Sequence, residues 1–260
     1  YMKLKKSHKM VKFPKISIIT PVMNGAKSLE KCIKSISGQN YPKKNIEHII
    51  IDGGSTDGSV SIIKKNTKKI KYWRTKKDKG LYDAMNIGIK KCNGDIVGIL
   101  NSDDFYYKNT FEIVSKYFNK SKIDFLFGSV VKQKVFHHFY PHRLWYTFNI
   151  YPSHSVSFFI KRKIHKKIGK YNLKFKYSAD RDLIYRMISR YKLIGVATKK
   201  SEVFGKFNLF GVSSRVPFIT KILEETRIRI FNKQNFIQVI SVMIAYFFYN
   251  FIKKFIKRFN

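Results

Sequence analysis

Acidic residues are scarce in this 260-residue chain: 16 Asp+Glu stand against 53 Lys+Arg, a formal net charge of +37. Such an excess draws polyanions, whether nucleic acid, an anionic membrane face or phosphorylated substrates, without choosing among them. Richness in Lys, Ile, Asn, Phe and Tyr also reads as compositional drift, which accounts for part of the charge. Cysteine is nearly absent. Cys32 and Cys92 alone exclude a disulfide scaffold and a multi-Cys zinc module, and they suit a reducing compartment. No GxxxxGK[ST] stretch occurs and no GxGxxG follows a strand pattern, which argues against a P-loop kinase or a dinucleotide enzyme. Residues 1–14 are basic without an apolar run, so no signal peptide is expected in them. No internal repeat or low-complexity linker interrupts the chain. What is present is core material: 44% hydrophobic and 16% aromatic residues. A disordered basic tail lacks the apolar residues needed to offset chain entropy, so that class is excluded. The length fits one large domain, or one domain with an appendage.

The first half alternates strand and helix patterns. Strands are predicted over Ile16–Thr20, Ile46–Ile51, Ile70–Trp73 and Ile96–Leu100. Between them, Leu29, Cys32, Ile33 and Ile36 recur at helical spacing before Gly38, a second helix is expected from Gly58 to Lys69, and a third from Leu81 to Lys91. That order implies a mostly parallel, buried sheet flanked by helices. Beyond Tyr106 the pattern loosens. Helices are expected over Asn109–Phe118 and Ser178–Tyr191, strands over Ile123–Val131 and His154–Ile160, and Lys132–Asn149 resists assignment.

Because acids are few, their positions carry information. Half of them form four pairs: Asp52 with Asp57, Asp78 with Asp83, Asp103 with Asp104, and Asp180 with Asp182. The first and third pairs sit just past strand carboxyl ends, where open α/β sheets bind ligands. Structural duties compete: Asp57 can cap the following helix, and Asp52 can start the Asp-Gly-Gly turn. Adjacent carboxylates repel unless a cation or proton intervenes, so Asp103-Asp104 at the end of a buried strand suits a divalent metal and a diphosphate.

These residues carry a resemblance. Pro14–Asn24, then Ile51-Asp52-Gly53-Gly54-Ser55-Thr56-Asp57-Gly58-Ser59, Asp78-Lys79-Gly80-Leu81-Tyr82-Asp83-Ala84-Met85-Asn86 and Gly94–Asp104 resemble, in order, the motifs of a family 2 glycosyltransferase of GT-A fold. The likeness is specific over about 90 residues and looser to about residue 205. It implies an α/β, Rossmann-like, mostly parallel sheet flanked by helices. The expected division is a basic segment 1–13, a catalytic domain 14–214 (nucleotide-binding half 14–105, acceptor half 106–214), and a helical tail 215–260. It further implies that Thr20, Pro21 and Val22 line the nucleotide pocket, that Asp52 bonds the base, and that Asp78, Gly80 and Asp83 lie near nucleotide and sugar. Asp103 and Asp104 would hold the diphosphate through Mg²⁺ or Mn²⁺. With Asn101 where many members carry the first Asp, Asp104 is the expected direct ligand, and Asp103 the one at the ribose or a metal-bound water. Asp180, at the start of a helix, is the expected catalytic base, placed where the macrodipole favours a carboxylate. Asp182 is expected to support that helix, and His154 to contact acceptor or diphosphate.

The function implied is inverting transfer of a sugar from a nucleotide donor, a UDP-sugar by preference, to a hydroxyl of a surface glycan or lipid-linked saccharide. The charge keeps a rival alive, a nucleic-acid-binding protein, but no recognition helix, RNP-like strand or basic stripe is legible. An inactive scaffold of the same fold and a nucleotidyltransferase are weaker alternatives. Phe236–Ile252 is apolar nearly all round and is followed by Lys253, Lys254, Lys257 and Arg258. That tail is short for a membrane span of about 20 residues. It can lie in the interface, anchor briefly, or pack on the domain or a second subunit. Its basic end suits an anionic surface, so the expected place is cytoplasmic, peripheral on the inner face of the cell membrane.

Overall fold

The computed structural model describes residues 13–209, 211 and 216–259, with the backbone alone for 250, 251 and 253–259. Most of the expected basic segment 1–13, and the expected boundary at 214–215, lie outside the described residues.

Seven strands form the main sheet: β1 (Ile16–Val22), β2 (Ile46–Asp52), β3 (Tyr72–Thr75), β4 (Ile96–Ile99), β6 (Phe125–Phe127), β9 (Phe158–Lys161) and β10 (Gly195–Ala197). Their order is β10-β6-β9-β4-β1-β2-β3. β1 pairs in parallel with β2 and β4, β2 with β3, and β6 with β10, whereas β9 runs antiparallel between β4 and β6. A second sheet joins β5 (Phe105–Tyr106), β11 (Val203–Lys206), β7 (Ser129–Val131) and β8 (Val135–Phe136).

Period-two alternation sorts the strand side chains between two faces. Ile19, Ile49 and Ile51 face α3 (Leu81–Lys91), while Ile16 and Ile18 face α1 (Ala26–Ser37). α1 buries Leu29, Cys32, Ile33 and Ile36, the residues whose spacing predicts it. The helix expected from Gly58 to Lys69 is shorter, α2 (Ser59–Lys65) with a single 3₁₀ turn after Asn66. The strand expected over Ile123–Val131 divides at Gly128 into β6 and β7, which belong to different sheets. A Cβ there would fall 2.2 Å from the Phe204 ring of β11, so only glycine lets the chain cross between sheets at that point. The strand expected over His154–Ile160 begins only at Phe158, because residues 153–157 form a tight loop.

α4 (Thr110–Lys120) and α5 (Arg162–Ile168) complete the flanks, and α6 (Ala179–Tyr185) continues into a π-helical turn, Arg186–Arg190. Two helices, α7 (Phe218–Phe231) and α8 (Phe236–Phe259), close the chain. Among the described residues no helix is long and apolar enough to cross a membrane. Instead α8 seats Val239 and Val242 against the protein, and Tyr246 Oη lies 3.1 Å from Thr147 Oγ1.

Candidate active site

The carboxyl ends of β1, β2 and β4 converge, and the loops that follow are tied to one another. Asn24 N–H donates to Ser55 Oγ at 2.8 Å, and Thr56 N–H donates to Asn24 Oδ1 at 2.9 Å. Asp57 accepts from Ser59 N–H and, at 2.9 Å, from Ala26 N–H at the head of α1. It therefore serves two helix starts at once.

Thr20, Pro21 and Val22 do not line this opening with side chains. Thr20 is fully buried, its Oγ1 3.0 Å from His48 Nε2, because it shares the face of β1 that lies under α1. Val22 packs with Leu29, Ile33 and Ile50, and Pro21 is buried. Asp52 also departs from expectation. Its carboxylate is fully buried and accepts from Gly54 N–H and Ser55 N–H, both at 3.1 Å, and from the Ser55 hydroxyl. It shapes the Gly53–Ser55 turn and offers no free oxygen outward.

Asp78 faces that turn: a Cβ on Gly53 would meet Asp78 Oδ2 at 3.1 Å. Burial pushes the Asp78 carboxyl above its ordinary range against the bond from Gly80 N–H, and the charges of Asp83 and Asp52 add to the rise. Gly80 has φ +104°, a left-handed backbone that glycine accepts without strain. Asp83 accepts from Lys79 N–H at 3.1 Å, closing the turn onto the first residues of α3.

Asp103 and Asp104 occupy different environments. Asp104 is 2% exposed; its Oδ2 accepts from Ser155 Oγ at 2.5 Å and its Oδ1 from Asn208 N–H at 2.7 Å. Burial pushes its pKa up to about 7, opposed by those two bonds. Asp103 is half-exposed and accepts from Asn208 Nδ2 at 3.1 Å. It borders a cleft of about 330 Å³ lined also by Phe105, Lys132, Lys206 and Phe207. Asp103 is the more accessible of the pair, because Ser155 and Asn208 enclose Asp104, the expected direct ligand, from elsewhere in the chain. The half-buried Lys132 ammonium sits 4.9 Å from the Phe136 ring centre and 5.0 Å from that of Phe207. Burial lowers its pKa, against the pull of Asp104. A larger cleft, about 410 Å³, lies by Pro14, Asp95 and Arg162 at the opposite end of the strands.

A divalent ion fits the donor set at Asp103. Mg²⁺ and Mn²⁺ take hard oxygen ligands, often one or two carboxylates completed by substrate phosphates. Asp103 presents an accessible carboxylate, and Asn101 Oδ1, two residues earlier, is buried with no partner. Among the described residues no cluster of three or more His, Cys, Asp or Glu could hold a metal unaided.

Asp180 lies in the first turn of α6. It accepts from Tyr82 Oη at 2.7 Å and from Tyr151 Oη at 3.2 Å. Burial, and then the charge of Asp180, raise both phenols well above their ordinary pKa, so they remain donors. His154 Nε2 is 2.9 Å from Tyr171 Oη, and the Tyr171 ring packs on Tyr82 with centroids 5.5 Å apart. Burial lowers the His154 pKa and keeps the ring neutral. His154 thus turns toward the Asp180 cluster while its neighbour Ser155 turns toward Asp104. Val156, next in line, has φ +72°, an outlier for a β-branched residue, and such strain concentrates at functional sites. Asp182 bonds Arg186 Nε and Asn232 Nδ2, each at 2.9 Å, and supports the helix as expected from its position.

Tyr82, Tyr151, Tyr171, Ser155, Asn208 and Lys132 escape the sequence reading as site residues. Tyr82 carried a signal, since it falls inside the Asp78–Asn86 motif, and so did Ser155, the neighbour of the expected His154. Asn86, one turn on, donates to Tyr171 O and accepts from Tyr171 N–H, both at 2.9 Å, fastening α3 to the second half.

Residues 17–183, which span the strand-end carboxylates, the Gly80 turn and the start of α6, match a known sequence profile, Glycosyl transferase family 2. The chain belongs to that family. An uncharacterized glycosyltransferase of Rickettsia typhi is 32% identical over 196 residues, 67% of this chain and 59% of that protein. One of Mycobacterium tuberculosis is 40% identical over 95 residues, 36% of each chain. The matched stretches thus span from about a third to three fifths of these curated relatives. The fold resembles Staphylococcus aureus TarS 1-349 in complex with UDP-GlcNAc, with a TM-score of 0.65 and 15% identity over 88% of this chain and 70% of that one. It also resembles the mannosyltransferase PcManGT of Pyrobaculum calidifontis, in complex with GDP-Man and Mn²⁺, with a TM-score of 0.66 and 16% identity over 90% and 69%. This family 2 glycosyltransferase therefore has the GT-A architecture, with two further helices at its C-terminal end.

Proposed function

We propose that the enzyme is an inverting, divalent-metal-dependent glycosyltransferase that moves a sugar from a UDP-sugar to a hydroxyl of a glycan or lipid-linked saccharide. The observation that carries this reading is Asp180, held by two tyrosine hydroxyls, one of them from the helix that follows the Gly80 turn. In the proposed step, Asp180 accepts the proton of the acceptor hydroxyl while its oxygen attacks the anomeric carbon from the face opposite the diphosphate. A new carbon–oxygen bond forms, and the bond to the diphosphate breaks with its electron pair left on the phosphate oxygen. One attack from one face inverts the anomeric configuration. Tyr82 and Tyr151 fix the carboxylate without taking its proton-accepting role. Mg²⁺ or Mn²⁺, held by Asp103 with Asn101 Oδ1 as a second oxygen, would offset the charge developing on the leaving diphosphate. Lys132 and Lys206 line the same cleft and add fixed positive charge. Asp78, beside the Gly53 turn, faces nucleotide and sugar in this reading, whereas Asp52 keeps the turn in shape. His154 contributes through Tyr171 to the acceptor side.

A uracil base is supported by the UDP and UDP-GlcNAc complexes of TarS, and a GDP-sugar by the PcManGT complex. Calorimetry with UDP, GDP and dTDP in the presence of Mn²⁺ separates them. UDP is expected to bind tightest, with binding lost on chelation and in Asp103→Ala. If none of the three binds while duplex DNA does at physiological salt, the enzyme reading fails. Asp180→Asn is expected to abolish transfer with UDP affinity retained, and unchanged turnover would remove Asp180 from the mechanism.

A further inference from the structure

The last two helices place apolar side chains on both of their sides. α8 buries Val239 and Val242 against the domain, yet Ile237, Ile244, Phe248 and Ile252, spaced seven, four and four residues apart, form a stripe on the side away from them. Ile237 is 75% exposed and Phe248 64%. α7 repeats the arrangement: Ile222 and Ile228 are buried while Leu223 and Ile230 are exposed. Trp145, 54% exposed, adjoins the turn between the helices, where its carbonyl accepts from Arg229 Nη1 at 2.8 Å and Gln234 Nε2 at 2.7 Å. A soluble surface rarely leaves so many large apolar side chains together without a partner.

Charge selects the partner. Glu225 is the last acid in the sequence, and seven cations follow it without one: Arg227, Arg229, Lys233, Lys253, Lys254, Lys257 and Arg258. Beyond Ile252 the sequence continues with Phe255 and Phe259 among four cations. A second copy would bring the same cations and the same overall charge against them, and the tail's two acids, Glu224 and Glu225, already pair with Tyr177 and Arg181 of the domain. An anionic lipid surface accepts both the stripe and the charge. Because the inner face of α8 is fastened to the domain, the helix is held along a surface and is not free to cross one.

We propose that the outer face of α7 and α8, with Trp145, is a docking surface for an anionic membrane, entered side-on to the depth of the apolar stripe. Exposed Trp beside such a stripe suits the headgroup level, and the long basic side chains suit the phosphate layer. The surface is coupled to the catalytic half. Glu224 of α7 accepts from Tyr177 N–H just before α6, Glu225 pairs with Arg181, and Asn232 bonds Asp182. Docking would therefore hold the helix that carries Asp180 close to the lipid. That consequence alone rests on the lipid-linked acceptor reading, whereas docking itself stands apart from the donor and acceptor.

The test uses the full chain. Co-sedimentation with phosphatidylcholine vesicles, with and without phosphatidylglycerol, is compared for the natural sequence and for the double variant Ile237→Gln, Phe248→Gln. Both substitutions are on the exposed stripe, and far-UV circular dichroism checks the fold. Binding to phosphatidylglycerol vesicles is expected to be at least tenfold tighter than to phosphatidylcholine alone, to weaken with added salt, and to fall at least tenfold in the variant. Equal binding by the variant, or no binding by the natural chain, overturns the proposal. So does a concentration-dependent dimer in sedimentation velocity that the variant abolishes. UDP affinity, measured in parallel, reports on the donor site separately.

Discussion

The Tyr82 hydroxyl donates to Asp180 Oδ1 at 2.7 Å, joining the first turn of α3 to the first turn of α6 across 98 residues of sequence. In the proposed reading, one helix carries the Gly80 turn of the donor side and the other the acid of the acceptor side. This bond makes the two halves a single site. Tyr82→Phe removes one of the two hydroxyls that orient Asp180. A hydrogen bond to a charged group contributes about 1.5–3 kcal/mol, so kcat is expected to fall about tenfold or more while UDP affinity is retained. Initial-rate kinetics beside calorimetry check the split, and an equal loss in both would assign Tyr82 to the fold.

Asp103 and Asp104 are expected to separate cleanly. Asp104→Ala leaves the Ser155 hydroxyl and Asn208 N–H buried without their acceptor, at a cost of about 1–3 kcal/mol. Asp103→Ala, at a half-exposed position, is expected to change stability by about 0.5 kcal/mol or less while abolishing Mn²⁺-dependent nucleotide binding. Urea unfolding and calorimetry on the two variants give the comparison. The reverse pattern would return the direct metal role to Asp104.

His48 and His165 are held neutral by burial, with pKa values lowered to about 3 and about 4. The unfolded chain binds protons at these sites below about pH 6.5, where the folded protein does not. Their contribution is therefore complete above pH 6.5 and is lost as pH falls toward 4 and then 3. The slope is about 1.4 kcal/mol per pH unit for each group. Thermal midpoints between pH 7 and 4.5 should decline, and His48→Gln should make that decline shallower. An unchanged slope would remove His48 from the account.

Gly88 sits where α3 crosses β1, and a Cβ there would lie 2.3 Å from Ile19 Cγ2. Alanine gains about 1 kcal/mol of helix propensity over glycine, but overpacking a buried contact costs about 1–3 kcal/mol. Gly88→Ala is expected to destabilise and to lower turnover, since α3 also carries Tyr82. Adding Ile19→Val should restore part of both losses, as a double-mutant cycle would show.

Much of the fold of the first hundred residues is legible in the sequence, because its signals are local. Leu29, Cys32, Ile33 and Ile36 announce α1, and the apolar run Ile96–Leu100 announces β4, in each case through neighbours a few residues apart. The site is less legible where partners are distant. Asp104 turns inward because Ser155 and Asn208, 51 and 104 residues away, reach it. Asp52 forms the Asp-Gly-Gly turn, one of the two duties its position suggests, through bonds to Gly54 and Ser55. Gly128 sits between the apolar residues Phe125–Phe127 and Val130–Val131, and nothing local shows that Phe204 needs its space. Which side of α8 meets the protein is equally hidden, since the helix is apolar on both.

β9 carries a consequence for how the chain is made. It lies antiparallel between β4 and β6, so the open edge of β4 waits until residue 161 has been synthesised. At about 5–20 residues per second, that exposes an unpaired, fully buried-type strand to solvent for seconds. The first hundred residues can close β3, β2, β1 and β4 among themselves through short-range crossovers. The nascent chain is thus expected to emerge with its first four strands paired and one sticky flank, a state that chaperones would shield.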